Sequence, residues 1–130
     1  NQILEDKFGA YNNTEWRIFR WDSGLEDYKE YPNIGPSSFD PGLAFWLITR
    51  TGMQASTGSG NSMDLTGYAI NISEGWNMIG SVSASAGISD PGGIVIPGTM
   101  YDYPYGDPAS SVEPGLGYWV RTSGAGVITF

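Results

Sequence analysis

Three observations on this 130-residue chain predict an all-β fold, a sandwich or barrel of two pseudo-symmetric halves with very little helix. First, 19 Gly and 8 Pro are spread along the whole length, so many tight turns must join short apolar segments. Second, aromatic residues make up 14%, and rings suit the half-buried pleated surface of a sheet. Third, Asp40-Pro41-Gly42-Leu43-Ala44-Phe45-Trp46-Leu47 returns as Glu113-Pro114-Gly115-Leu116-Gly117-Tyr118-Trp119-Val120, at an offset of 114 − 41 = 73. The length fits one domain over residues 1–130, with related halves at about 1–66 and 67–130.

Taken in order, Gln2 to Phe8 is the one helical candidate, with acids early and Lys7 late. Trp16 to Trp21 reads as an aromatic strand and matches the stretch around Met100, Tyr101 and Tyr103 at an offset of 100 − 18 = 82. The first half therefore carries 82 − 73 = 9 extra residues, expected as an acidic loop in Asp22 to Asn33. Leu43 to Ile48, launched by Pro-Gly, has apolar residues on both faces and is expected as a central strand. Its copy over Leu116 to Val120 is the second such strand, and Arg50 and Arg121 mark where the two reach water. Ala55 to Asn61 is a turn-like Gly/Ser/Thr tract. Tyr68 to Ile72, Trp76 to Val82 and Val127 to Phe130 are further strands, with Ser73-Glu74-Gly75 as a turn between the first two.

Gly75-Trp76-Asn77-Met78-Ile79-Gly80, then Tyr101-x-Tyr103, then Pro114-Gly115-Leu116-Gly117-Tyr118-Trp119-Val120, resembles a two-repeat β module found in large secreted bacterial proteins, from about Trp16 to the C-terminus. The resemblance implies an extracellular or cell-surface setting and a non-catalytic, accessory role. In that family the first half opens with its own counterpart of the Gly-Trp-Asn strand, and this chain shows none. Truncation, or a strand supplied from outside to an open sheet edge, would account for the difference. Asn1 is not an initiator Met and no targeting peptide precedes Ile3, so the chain reads as a processed product or a fragment.

Composition narrows the function further. A net charge of −8 repels nucleic acid and anionic lipid, and no apolar run reaches membrane-spanning length, so neither nucleic acid nor membrane insertion is expected. With no Cys and no His, thiolate chemistry, the usual metal ligand and the usual neutral-pH base are all missing. No GxSxG elbow, phosphate loop or HExxH helix is present, and no enzymatic activity is expected. Asn12-Asn13-Thr14 and Asn71-Ile72-Ser73 match glycosylation sequons but are incidental in a bacterial setting.

The leading expectation is a structural or interaction module that joins other protein chains or domains of a parent protein. The alternative is carbohydrate binding, in which Trp21, Tyr31, Tyr101, Tyr103 and Tyr105 stack on sugar rings while Asp102 and Asp107 accept hydroxyl hydrogen bonds. Trp16 and Tyr28 belong to the same aromatic set, and Tyr31, Tyr103 and Tyr105 are expected to be its most exposed members. Trp46, Trp76 and Trp119, lying in regular strands, are expected in the core. No cofactor is expected; Asp22, Glu26, Asp27 and Glu30 are the only candidates for Ca²⁺, and their spacing is not that of an EF-hand.

Overall fold

The computed structural model describes residues 2–35, 39–52, 54, 67–80, 83–104 and 106–130. The predicted turn tract at residues 55–61 lies outside them.

Helix α1 (Gln2–Phe8) has Glu5 in its first turn and Lys7 in its last, an arrangement that suits the helix dipole. Strand β1 (Trp16–Asp22) is the middle of a three-stranded antiparallel sheet, between β2 (Asp27–Glu30) and β3 (Trp46–Thr49). Strands β4 (Ala69–Ile72) and β8 (Gly126–Thr129) pair with each other. In the remaining sheet β7 (Gly117–Thr122) lies between β5 (Gly75–Gly80) and the two-residue β6 (Tyr101–Asp102). All described pairings are antiparallel, and the chain is all-β apart from α1.

Two expectations about these elements are corrected. The acidic stretch is not a simple loop, because it contains β2. Asp22 faces Asp27 across a hairpin whose turn is capped by the Asp22 carboxylate, which accepts the Gly24 and Leu25 N–H groups at 3.0 and 3.1 Å. Lys29 and Glu30 then pair with Asp22 and Arg17 on β1, so charges that looked loop-like serve cross-strand contacts. The strand after Pro41-Gly42 is also not central. Among the described residues β3 pairs with β1 alone, and Leu47 and Ile48 are 39% and 53% exposed. Apolar character on both faces here belongs to a strand that has no second neighbour among the described residues.

The two Pro-Gly segments build the same turn. Leu43 N–H bonds to the Asp40 carbonyl and Leu116 N–H to the Glu113 carbonyl, each at 3.2 Å. Gly42 and Gly115 sit at φ 79° and 81°, as the third position of a type II turn demands after a proline. Beyond the turns the aligned strands hold the same register. Phe19 faces Trp46 across β1 and β3, while Tyr101 faces Trp119 across β6 and β7; 101 − 19 = 82 and 119 − 46 = 73, the two sequence offsets.

Strand β5 joins the halves. One edge pairs along β7, from Gly75 opposite Thr122 to Gly80 opposite Gly117. The other edge meets the turn before β3: Leu43 bridges Ile79, and Gly80 N–H bonds to the Gly42 carbonyl at 3.0 Å. Asn77 shapes the entry to β5. Its buried amide accepts the Ser73 N–H at 3.0 Å and donates to the Ser73 carbonyl at 2.8 Å, which accounts for the Asn in Gly-Trp-Asn.

The interior divides into two clusters. The larger takes Ile70, Ile72, Ile79, Val120 and Ile128 from four strands, with Met100, Val112 and Tyr118. The smaller takes Trp16, Ile18, Tyr31 and Ile34, covered by Leu4, Phe8, Tyr11 and Phe39. Ile18, Ile79 and Ile128 are fully buried, and each contributes about 1.5–3 kcal/mol by leaving water.

Candidate functional site

The sheets meet at a layer of rings. Trp21 and Tyr28 stand on the β1–β2 hairpin; Trp76, Trp119 and Tyr101 stand on β5, β7 and β6. The Trp119 ring has Trp21, Tyr28 and Trp76 around it at centroid distances of 5.2, 6.3 and 6.2 Å and interplanar angles of 79°, 81° and 90°. Edge-to-face contact of this kind fixes ring orientation. The Trp21 indole N–H donates to the Trp76 carbonyl at 2.7 Å, tying β1 to β5. Together with Gly106 these five rings line an open cavity of about 490 Å³.

A smaller recess of about 220 Å³ lies beside the β3 end of the molecule, with Phe45 and Trp46 on one wall and Asp102, Tyr103, Leu116 and Gly117 on the other. Tyr103 packs edge-on against Trp46 at 5.1 Å and 87°. The Trp46 indole N–H donates to the Tyr28 hydroxyl at 3.1 Å, linking the recess to the ring layer.

The structure thus separates the residues singled out from sequence. Trp21 and Tyr101 meet in the larger cavity, Asp102 and Tyr103 line the smaller recess, and Asp107 is exposed and lines neither. Tyr31 is corrected: it is 3% exposed in the small core, between Trp16 and Tyr11, with its hydroxyl donating to Glu5 at 2.8 Å. That bond raises the Tyr31 pKa, since it opposes a second negative charge beside Glu5. Trp16 is also core. Tyr105 lies outside the described residues. The expected core indoles are corrected as well: Trp76 is 38% exposed, and Trp46 and Trp119 are half-buried walls of the two hollows. Alternation marked their strands but not which side met a neighbouring layer, so the exposed indoles were missed.

Two of the candidate Ca²⁺ carboxylates, Glu30 and Asp22, are taken up by separate ion pairs. Glu30 takes a bidentate pair of bonds from Arg17, at 2.6 and 2.7 Å, and a third from the Tyr11 hydroxyl at 2.9 Å. The Arg17 guanidinium holds the Glu30 carboxyl below its ordinary pKa, and Lys29 does the same for Asp22. Glu26 sits in the hairpin turn and Asp27 begins β2. Among the described residues no group of three acidic, His or Cys side chains is placed to hold a metal ion.

Arg20 is the one cation turned inward here. Its guanidinium donates to the carbonyls of Ala44 and Met78, the latter at 2.9 Å, and burial lowers its pKa. It therefore works as a bracket between β1, the segment before β3, and β5. Among the described residues no helix is long and apolar enough to cross a membrane. Comparison with protein families, with curated proteins and with solved structures gave no match.

Proposed function

We propose that the chain is a non-catalytic structural and interaction module of a secreted or cell-surface bacterial protein, built of two related halves, which joins other chains through the free edge of β3. The observation that carries this reading is the outer side of β3, which has no partner among the described residues, with Leu47 and Ile48 exposed on opposite faces. Main-chain groups of alternate residues point to the same side of a strand, and the Arg50 N–H bonds back to Glu15 on the β1 side. Leu47 and Thr49 therefore turn their N–H and C=O groups outward, a ready template for an added strand. The repeated turn and shared register support the relation between the halves, and the Gly-Trp-Asn and Pro-Gly motifs support the setting by resemblance.

Amide exchange in the folded chain tests it, with two extended probes: an alternating Val/Thr peptide and a peptide of residues 73–80. Slowed exchange at Leu47 and Thr49 with either probe is the expected result. Unchanged exchange at both positions with millimolar amounts of both peptides would rule the reading out.

The five-ring cavity favours carbohydrate binding as a second reading, because Trp21 and Tyr101 present aromatic surface that matches the CH-rich face of a pyranose. Glycan-array signal that disappears in Trp21→Ala and Tyr101→Ala is its expected mark; a blank array removes it.

A further inference from the structure

We infer that the five-ring cavity is a cage for a quaternary ammonium group carried by a small molecule of the choline class. This is independent of strand addition at β3, and it gives the cavity an occupant of different chemistry from a sugar.

Three of the lining rings stand nearly at right angles to one another. Trp21 and Tyr28 are 5.2 Å apart at 73°, and Trp119 makes 79° with Trp21 and 81° with Tyr28. Planes so arranged form the corner of a box, and Trp76, at 90° to Trp119, stands as a further wall. A rounded group seated in such a corner touches several π-systems at once, whereas a flat sugar ring stacks on one. The face of an aromatic ring carries the negative part of its quadrupole and draws a cation held within about 6 Å of the centroid. The chain already uses this attraction at one of these rings. The Arg121 guanidinium, across the strand pair from Trp76, lies 5.9 Å from the centre of the Trp76 ring and does not line the cavity.

The polar atoms of the lining decide which cation fits. The Trp21 indole N–H is spent on the Trp76 carbonyl, the Tyr28 hydroxyl already accepts the Trp46 indole N–H, and the Trp119 indole N–H is buried out of a ligand's reach. Among the described lining residues, a ligand meets only two tyrosine hydroxyls and the Trp76 indole as polar side-chain groups. A pyranose carries hydroxyls around its whole rim, and those turned to the rings lose water without gaining a partner. A primary ammonium, with three N–H donors to satisfy, meets the same penalty. A trimethylammonium has no N–H to satisfy: its charge is spread over methyl groups, so it enters an aromatic corner without giving up a hydrogen bond. A volume of about 490 Å³ admits that group and the short chain that bears it. Charge favours the same occupant. The chain carries a net −8, and four lining residues have an acid beside them in sequence: Asp22 after Trp21, Asp27 before Tyr28, Asp102 after Tyr101 and Asp107 after Gly106. Lys29, the cation next to Tyr28, is held by Asp22. An acidic surface of this kind raises the local concentration of small cations.

The test titrates the whole chain with choline, with dimethylbutanol as its uncharged carbon isostere, and with cellobiose, following the tryptophan indole N–H signals. Choline moves the signals of Trp21, Trp76 and Trp119 and leaves that of Trp16, in the smaller core, in place. Dimethylbutanol, of the same shape but without the charge, binds about tenfold more weakly. Trp76→Leu takes away a ring face and weakens choline binding about fivefold or more, Trp76→Phe recovers most of the loss, and Arg121→Gln, which releases the competing cation, tightens binding. Melting of these variants at the parent's temperature establishes that they fold, and Tyr101→Leu serves as a second test of the walls. Equal affinity for choline and dimethylbutanol overturns the cage and leaves a merely apolar hollow. Indole shifts with cellobiose and none with millimolar choline overturn it in favour of a sugar. Choline binding that is unchanged in both Trp76→Leu and Tyr101→Leu puts the ammonium outside this cavity and overturns the assignment. None of these outcomes alters exchange at Leu47 and Thr49, so the reading of β3 stands or falls separately.

Discussion

Arg20 links three segments through two main-chain carbonyls; its removal takes the side-chain donor from both and leaves Met78 with the longer bond from the Ala44 N–H, at 3.4 Å. Arg20→Ala is expected to cost about 1.5–3 kcal/mol, the range for a hydrogen bond to a charged group, read as a lowered urea midpoint with unchanged slope. Glu30 gives a different signature. Its pKa is lower folded than unfolded, so the unfolded chain takes up the proton first on acidification. The stabilisation is complete above the ordinary carboxylate range, roughly pH 4, and is lost as pH falls through the lowered value. Urea titrations at pH 6 and pH 3 should show a smaller drop for Glu30→Gln than for the parent; an equal drop would show that the Arg17 pair does not contribute. That Arg17 and Lys29 neutralise part of the acidic stretch was legible from their closeness in sequence; the particular pairs and the Arg20 bonds were not. Those partners are set by a hairpin and by a strand that begins 55 residues after Arg20.

The two Pro-Gly turns share φ and hydrogen bonding but not surroundings. A Cβ at Gly42 would meet Ile70 Cγ2 at 2.7 Å and the Phe130 ring at 3.0 Å, whereas one at Gly115 meets nothing within 4 Å. Gly115→Ala should therefore cost only the left-handed strain, about 1–2 kcal/mol. Gly42→Ala should add overpacking of about 1–3 kcal/mol, and thermal melts of the two variants give the comparison. The sequence carried the turns, the helix and the strands with apolar alternation, since each is a local pattern. It did not carry β2, whose Asp-Tyr-Lys-Glu sequence lacks an apolar stripe, nor the edge position of β3, which depends on what lies beside it. Of the candidate site, Trp21 and Tyr101 were legible as rings flanking a repeat. Trp76 and Trp119 were not, because strand alternation gives a face without saying what the face meets.

Across the molecule, the larger cluster draws on four strands and the smaller chiefly on β1, α1 and the segments around Tyr31 and Phe39. β5 and β7 pair over six residues and face the larger cluster; among the described residues β3 pairs on one edge only. Native-state amide exchange should show greater protection in β5 and β7 than in β1 to β3, and uniform protection would mean that the clusters open as one unit. The bridge from β5 to the turn before β3 also bears on how the chain is made. Leu43 emerges from the ribosome 36 residues ahead of Ile79, its partner. Until β5 follows, Arg20 has the Ala44 carbonyl alone, and the Ala44 N–H and the Gly42 carbonyl are without the partners that β5 supplies. The N-terminal half is thus first in order of synthesis, yet its last bonds wait on a strand that belongs to the other half.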